Sequence, residues 1–172
     1  LRGESVPVMT ERSEREQAQT SIAENRKAFH DYHILENYEA GVALLGTEVK
    51  AIREGRVNLR DSYASVNRGE VFLHNVNISP YSHRGYVDHE PLRTRKLLLH
   101  KNEIAKLAGK VAEKGMTLVP LRMYFKDGRI KVAIGVAKGK KEYDKRDSIK
   151  QREAERETRA VMKTRQRNRS SD

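Results

Sequence analysis

The sequence predicts a mainly β body over residues 25–137, with two or three helices beside it, and a basic tail over residues 138–172. Two paired alternations and one change of composition point to this. Val119, Leu121, Met123 and Phe125 alternate with other residues, Asp127-Gly128 supplies a turn, and Ile130, Val132, Ile134 and Val136 alternate again. This is the pattern of a hairpin closed by a tight turn. SYASVN (62–67) and EVFLHNVNI (70–78) flank Arg68-Gly69 in the same way. After Ala137 the aliphatic side chains nearly vanish, leaving only Ile149, Val161 and Met162 of any size.

Residues 1–24 are expected to be a mobile leader. Thr10 to Glu24 is rich in helix formers, but Ile22 is its only large apolar side chain, so a helix there has nothing to bury. In HDYHILENY, residues 30–38, Tyr32, Ile34 and Tyr38 share one face, as in a strand. Val42, Leu45, Val49 and Ile52 then recur at helical spacing, with Gly55 placed as a stop. Residues 79–96 read as a polar loop. A further helix carries Ile104, Leu107, Ala108, Val111 and Ala112 on one stripe, with Asn102 as N-cap and Gly115 past its end. The tail has high helix propensity but charge all round, and such helices are marginal in water without a partner. Fixing one residue costs roughly 1–2 kcal/mol, so a tail with no apolar face is expected to stay disordered when free, beyond about Arg146.

The chain holds 35 Lys and Arg against 24 Asp and Glu, a formal net charge of +11, with 13 of the basic side chains at or after Lys138. Polyanions are the natural partners, because each cation set on a phosphate releases condensed counterions. No apolar run approaches the length of a membrane-spanning helix, and residues 1–24 lack the apolar stretch of a secretory signal. Leu1 in first place suggests a processed, truncated or unusually initiated chain. With no cysteine, disulfides, thiolate metal sites and cysteine nucleophiles are ruled out. A cytoplasmic, reducing location fits.

Tests for catalytic or metal chemistry give little. His30 and His33 on a strand point to opposite faces, short of the three or four convergent ligands of a zinc site. Gly135 to Lys141 has three residues between its glycines and no Ser or Thr after the lysine pair, so it is not a nucleotide-phosphate loop. No nucleophile elbow is present. A ribonuclease could use His30, His74 or His100, with no positive sign for it. Basic clusters remain: Asn25-Arg26-Lys27, Arg93-x-Arg95-Lys96, and Lys138 to Arg146 all fall at element boundaries, where side chains reach outward. Their distribution favours recognition of RNA shape and backbone over base reading.

The strings NRKAFHDYHILENYEAGVALLGTEVKAIREG (25–55), NLRDSY (58–63), HEPLRTRKLLLHKNEI (89–104), LVPLRMYFKDGRIKVAIGVAKGKKEYDKR (118–146) and DSIKQRE (147–153) closely resemble the bacterial small protein B family, the transfer-messenger RNA-binding proteins of ribosome rescue. The resemblance runs from about Asn25 to the C-terminus and implies a closed six-stranded antiparallel β-barrel related to the oligonucleotide-binding (OB) fold, with flanking helices. It also implies a non-enzymatic role without cofactor or metal. Such a protein, a monomer when free, binds the tRNA-like domain of transfer-messenger RNA. With elongation factor Tu and the aminoacylated RNA, it enters a stalled ribosome, where its tail becomes helical in the empty messenger channel near the decoding centre. The rescued peptide then receives a degradation tag.

Carried over residue by residue, the resemblance places RNA contacts at Asn25, Arg26, Lys27, Glu39, Leu98 and His100, and Arg93, Arg95 and Lys96 join them as the basic cluster before the last helix of the body. Asn25 and Glu39 are expected to bond ribose hydroxyls or base edges, Lys27 to neutralise phosphate, and Leu98 to offer an apolar contact. Alternatively, Glu39 pairs with a neighbouring Lys or Arg. Ribosome contacts are expected from Lys138, Lys140, Lys141, Tyr143, Asp144, Lys145, Arg146, Lys150 and Arg152. Two positions depart from the family pattern: His100 stands where members often carry Asn, and Tyr143 where many carry His. A ribosome-associated structural protein, its tail threaded permanently through ribosomal RNA, shares these features and is the competing reading.

Overall fold

The computed structural model describes residues 20–81 and 88–169. In chain order these form β1 (Thr20–Glu24), α1 (Arg26–Asp31), β2 (Tyr32–Val42), α2 (Gly46–Arg53), β3 (Val57–Asn58), β4 (Tyr63–Asn67), β5 (Glu70–His74), β6 (Asn77–Ile78), β7 (Arg95–Leu98), α3 (Lys101–Val111), β8 (Met116–Lys126), β9 (Arg129–Gly139) and α4 (Glu142–Arg169).

Both expected hairpins are present, and for the local reason their sequences suggest. Arg68 and Gly69 take φ of 49° and 73°, Asp127 and Gly128 of 51° and 72°. Two successive left-handed residues are what a type I′ turn requires, and its twist matches that of the strands. The β8–β9 pair runs in antiparallel register from Met116 opposite Lys138 to Lys126 opposite Arg129. β9 pairs in turn with β2, β2 with β7, β7 with β5, and β5 with β4; Ala64 of β4 meets Leu118 of β8, so six strands make a ring. β3 and β6 form a small separate pair. The fold is mainly β, with the core inside the ring: Ala40, Val71, Leu73, Leu97, Leu118, Met123, Val132, Ile134 and Val136 are buried there, joined by Ile52 of α2 and Leu107 of α3. Gly135 is a packing glycine, because a Cβ there would lie 3.0 Å from Leu121 Cδ1 and 3.1 Å from Ile34 Cγ2.

Several elements differ from the expectation. The leader boundary moves: Thr20–Glu24 is a strand on the edge of β8, with Ile22 and Ala23 half-buried, while residues 1–19 lie outside the described residues. Its pairing comes from β8, and nothing local announces it. His30 and Asp31 end α1 instead of opening a strand. Val42 belongs to β2, where it faces Leu97, and the helix begins at Gly46. Asn75, at φ 60°, breaks the run 70–78 into β5 and β6. The supposed loop 79–96 ends in β7, because Arg95 and Lys96 pair with β5. His100 replaces Asn102 as N-cap of α3, its N–H donating to Glu103 Oε2 at 3.1 Å. β9 continues to Gly139, so the tail leaves the body later than Ala137.

In the tail, Glu142–Arg169 form the long helix α4. Helix formers explain it, together with Glu155 and Arg159 at i, i+4 in the favourable order. Among the described residues, it touches the body through its first turns. The Lys140 N–H donates to Asp31 O at 2.9 Å, Lys145 lies 3.8 Å from the Asp31 carboxylate, and His33 lies 3.5 Å from that of Asp144. Residues 149–163 are exposed throughout.

One polar cluster is centred on two fully buried side chains, Glu48 and Arg95. Glu48 of α2 receives Arg95 Nε at 2.8 Å on one oxygen, and Arg93 Nη2 at 2.7 Å and the Leu45 N–H at 2.8 Å on the other. Arg95 donates further to the carbonyls of Val76, Arg93 and Pro91 at 2.8–3.1 Å. Burial pushes the Glu48 carboxyl up, but the hydrogen bonds from Arg93 and Leu45 and the Arg95 charge outweigh it and hold it below its ordinary value of 4.5. His89 donates through Nε2 to Ile78 O at 2.8 Å, and its Nδ1 lies 3.0 Å from the Thr47 hydroxyl.

Two predictions follow from this packing. Glu48→Ala, which strands two guanidinium groups, lowers stability by about 3–5 kcal/mol in denaturant titration. Because the folded pKa is depressed, this stabilisation is present above the unfolded value and is lost as pH falls through the folded one. Glu48→Gln, weaker at neutral pH, therefore loses less further stability between about pH 5 and pH 3 than the unaltered chain. For the tail, an isolated 138–172 peptide gives a coil-like circular dichroism spectrum in buffer; strong helicity there would mean that α4 needs no partner.

Candidate nucleic-acid interface

Three of the expected contact residues converge on one groove. Glu39, Gly41, Leu98 and Lys131 are set by strand register: Gly41 of β2 faces Leu98 of β7 on one side and Lys131 of β9 on the other. Gly41 leaves a notch between those side chains, and a Cβ there would approach Leu98 Cβ to 3.3 Å. Leu98 is 53% exposed, an unusual state for leucine on a strand. Glu39, Leu98 and Lys131, with Leu99, His100 and Glu103, line a groove of about 400 Å³ next to the start of α3.

Glu39 stands on the ridge between this groove and a second one, lined by Phe29, Tyr38, Arg122 and Tyr124. Its carboxylate is already engaged. The Tyr124 hydroxyl donates to Oε2 at 2.6 Å, and Lys126 Nζ donates to both oxygens at 2.9 and 3.0 Å. The alternative reading of Glu39, pairing with a neighbouring cation, therefore describes this structure. Burial pushes the Glu39 carboxyl up, but Tyr124, Lys126 and the nearby Lys131 charge bring it below its ordinary value. Burial, and then the carboxylate it serves, push the Tyr124 phenol well above the usual range. The Arg122 guanidinium covers the Tyr124 ring at 5.1 Å from its centre.

The remaining expected residues divide into inward and outward groups. Asn25 is buried and structural. Its Nδ2 donates to Leu59 O at 3.1 Å and Pro120 O at 3.0 Å, its Oδ1 accepts from the Ala28 N–H at 3.2 Å, and its own N–H reaches Leu121 O at 2.8 Å. It caps α1 and closes the irregularity of β8 between Pro120 and Arg122, with both amide hydrogens engaged. Arg95 likewise faces inward, in the Glu48 cluster, and Arg93 spends its charge on the same carboxylate. In this structure Asn25 and Arg95 are thus held by protein partners. Arg26 is 92% exposed, near Glu24; Lys27 pairs with Asp61 and Lys96 with Glu70. Lys27 and Asp61 border a further groove with Tyr32 and Tyr63.

In the tail, Lys138, Lys141, Arg146, Lys150 and Arg152 are exposed, while Lys140, Asp144 and Lys145 are half-buried against α1 and the start of β2. The side chain of Tyr143 lies outside the described residues. The histidines once considered for RNA cleavage are scattered among structural partners: His30 on Asp31, His74 between Ser65 and Thr94, His100 at the α3 cap. Among the described residues no three His, Cys, Asp or Glu side chains gather as metal ligands, and no helix is long and apolar enough to cross a membrane. Tyr124, Lys126 and Lys131 went unnoticed in the sequence. The alternation that set Met123 and Phe125 on one face gave no sign that their neighbours meet Glu39 across the ring.

Asn25→Ala lowers stability by about 1–3 kcal/mol by exposing unpaired buried carbonyls, whereas Lys27→Ala leaves the melting midpoint essentially unchanged. Thermal unfolding of the two variants checks this.

Comparison with known proteins agrees with this architecture. A family model described as SmpB protein matches residues 22–164. The chain is 61% identical over 145 residues to the SsrA-binding protein of Geobacillus kaustophilus, covering 84% of this chain and 94% of that one. It is 60% identical over 144 residues to the SsrA-binding protein of Carboxydothermus hydrogenoformans, covering 84% and 97%. A solved structure described as "tmRNA-SmpB: a journey to the center of the bacterial ribosome" contains a chain 54% identical, which superposes with a TM-score of 0.60 over 70% of this chain and 85% of that one. On the extent of the family match and the identity to curated relatives, the chain belongs to the SmpB protein family.

Proposed function

We propose that this protein binds the tRNA-like domain of transfer-messenger RNA and brings it to stalled ribosomes for trans-translation, so that the unfinished chain is tagged for degradation. The observation that carries this reading is the groove in which Glu39, Leu98, His100 and Lys131 meet on rigid strands, in a chain about 60% identical to SsrA-binding proteins. A cation, a carboxylate, an apolar surface and an imidazole together suit the sugar–phosphate backbone and unstacked bases of a folded RNA.

In this reading the six-strand ring is a closed OB-like barrel that serves as the RNA-binding body. Arg26, Lys27, Lys96 and Lys131 supply phosphate contacts, and their surface ion pairs with Asp61 and Glu70 are weak enough to exchange for RNA. The tail acts on a different RNA. Its helix is the form it takes in the messenger channel, where Lys138, Lys141, Arg146, Lys150 and Arg152 meet ribosomal phosphates and Tyr143 stacks near the decoding centre. Elongation factor Tu accompanies the aminoacylated RNA. The protein works in the cytoplasm as a monomer when free, carries no cofactor and catalyses no reaction.

Gel-shift titration at two salt concentrations, with the tRNA-like domain and an unrelated hairpin of equal length, is the direct test. Preference for the tRNA-like domain persists at the higher salt if recognition is specific; equal binding that collapses with salt leaves only counterion release. Removing residues after Gly139 preserves this binding and abolishes tagging. If the truncation weakened RNA binding as severely as body variants do, body and tail would not act on separate RNAs.

A further inference from the structure

Glu39 presents a problem for any RNA interface, because a carboxylate beside phosphates is repelled unless it is held for one specific donor. The structure holds it closely. A carboxylate has about four acceptor positions. Lys126 takes one on each oxygen of Glu39, and Tyr124 takes a second on Oε2, which leaves one on Oε1. Tyr124 is itself fixed: its ring is buried, and Arg122 stacks across it at 5.1 Å. The Glu39 side chain is still about one-third exposed, and Leu98, His100 and Lys131 share its groove.

We propose that Tyr124 is a positioning residue for RNA recognition: with Lys126 it fixes the Glu39 carboxylate so that a single acceptor position faces the Leu98–His100–Lys131 groove and takes one donor, the 2′-hydroxyl of a ribose. The inference rests on the RNA-binding reading above. Two-pronged recognition of a base edge needs both carboxylate oxygens free in one plane, and Oε2 is filled. A single hydroxyl needs only one. The rest of the groove suits the same nucleotide: Leu98 packs against the sugar, and Lys131 takes its phosphate while shielding the carboxylate from it. Because DNA lacks the 2′-hydroxyl, this contact also distinguishes the two nucleic acids.

The test uses the full chain and gel shifts with the tRNA-like domain of transfer-messenger RNA. Tyr124→Phe weakens binding about three- to tenfold, the size expected from one hydrogen bond, without affecting binding to an unrelated hairpin. Glu39→Gln weakens it at least as much, and the double variant is no worse than Glu39→Gln alone, because Tyr124 acts only through Glu39. Lys126→Met, at a half-exposed side chain outside the core, repeats the pattern should Tyr124→Phe prove poorly folded. In a series of RNAs each with one 2′-deoxy nucleotide, one substitution costs the unaltered chain several-fold in affinity and costs the Glu39→Gln chain nothing. Effects that add to that of Glu39→Gln, or the lack of any such nucleotide, overturn the inference. Failure of the underlying reading looks different: the unaltered chain then shows no preference for the tRNA-like domain.

Discussion

Glu48 is the point on which the described body turns. A carboxylate with no exposure is tolerated only because Arg95, Arg93 and the Leu45 N–H surround it, and Arg95 is tolerated only because three loop carbonyls take its other protons. The cluster joins α2 to β7 and to the irregular segment between β6 and β7. Apolar side chains of the same volume would fill that space as favourably, but they would not dictate the direction in which β7 enters the ring. Since β7 ends at Leu98 and runs directly into the α3 cap at His100, a buried ion pair at the start of the strand helps determine where the groove side chains stand at its end.

The groove shows how a polar surface is held ready without exposing unsatisfied groups. The carboxylates there have partners already: Glu39 has Tyr124 and Lys126, and Glu103 accepts the His100 backbone N–H. Lys126 is half-exposed and therefore cheap to exchange, whereas Tyr124 is buried and stays in place. Deeper inside, the same kinds of residue serve packing. Asn25 spends its amide group on the irregular part of β8, and Arg95 spends its guanidinium on Glu48. Identical chemistry thus has opposite uses at different places on the ring, and the difference is set by strand pairing.

That is also why sequence reading went only so far. The two hairpins were legible because Arg68-Gly69 and Asp127-Gly128 impose left-handed backbone locally and the flanking alternation is regular. The stripe of α3 was legible for a similar reason. β1 and β7 were not: TSIAE and RKLL carry little pattern of their own and become strands because an edge is there to receive them. Arg93 and Arg95, two residues apart in RTRK, looked alike, yet only Arg95 has a wholly buried side chain. The family resemblance pointed to Glu39 and Leu98, but the residues that hold Glu39 lie some 85 positions away and emerge only once the ring is formed.

The joint between body and tail has a mechanical consequence. α4 has 28 residues and is therefore about 42 Å long, while its attachments, at Asp31 and His33, are confined to its first turns. It is a lever on a short polar hinge. A tilt of about 10° at that hinge carries the far end through about 7 Å, more than a full helical turn of travel, without disturbing a single apolar contact of the core. Reach at the tip is thus governed by a few polar contacts at the root, and the helix can change direction while the six-strand ring stays as it is.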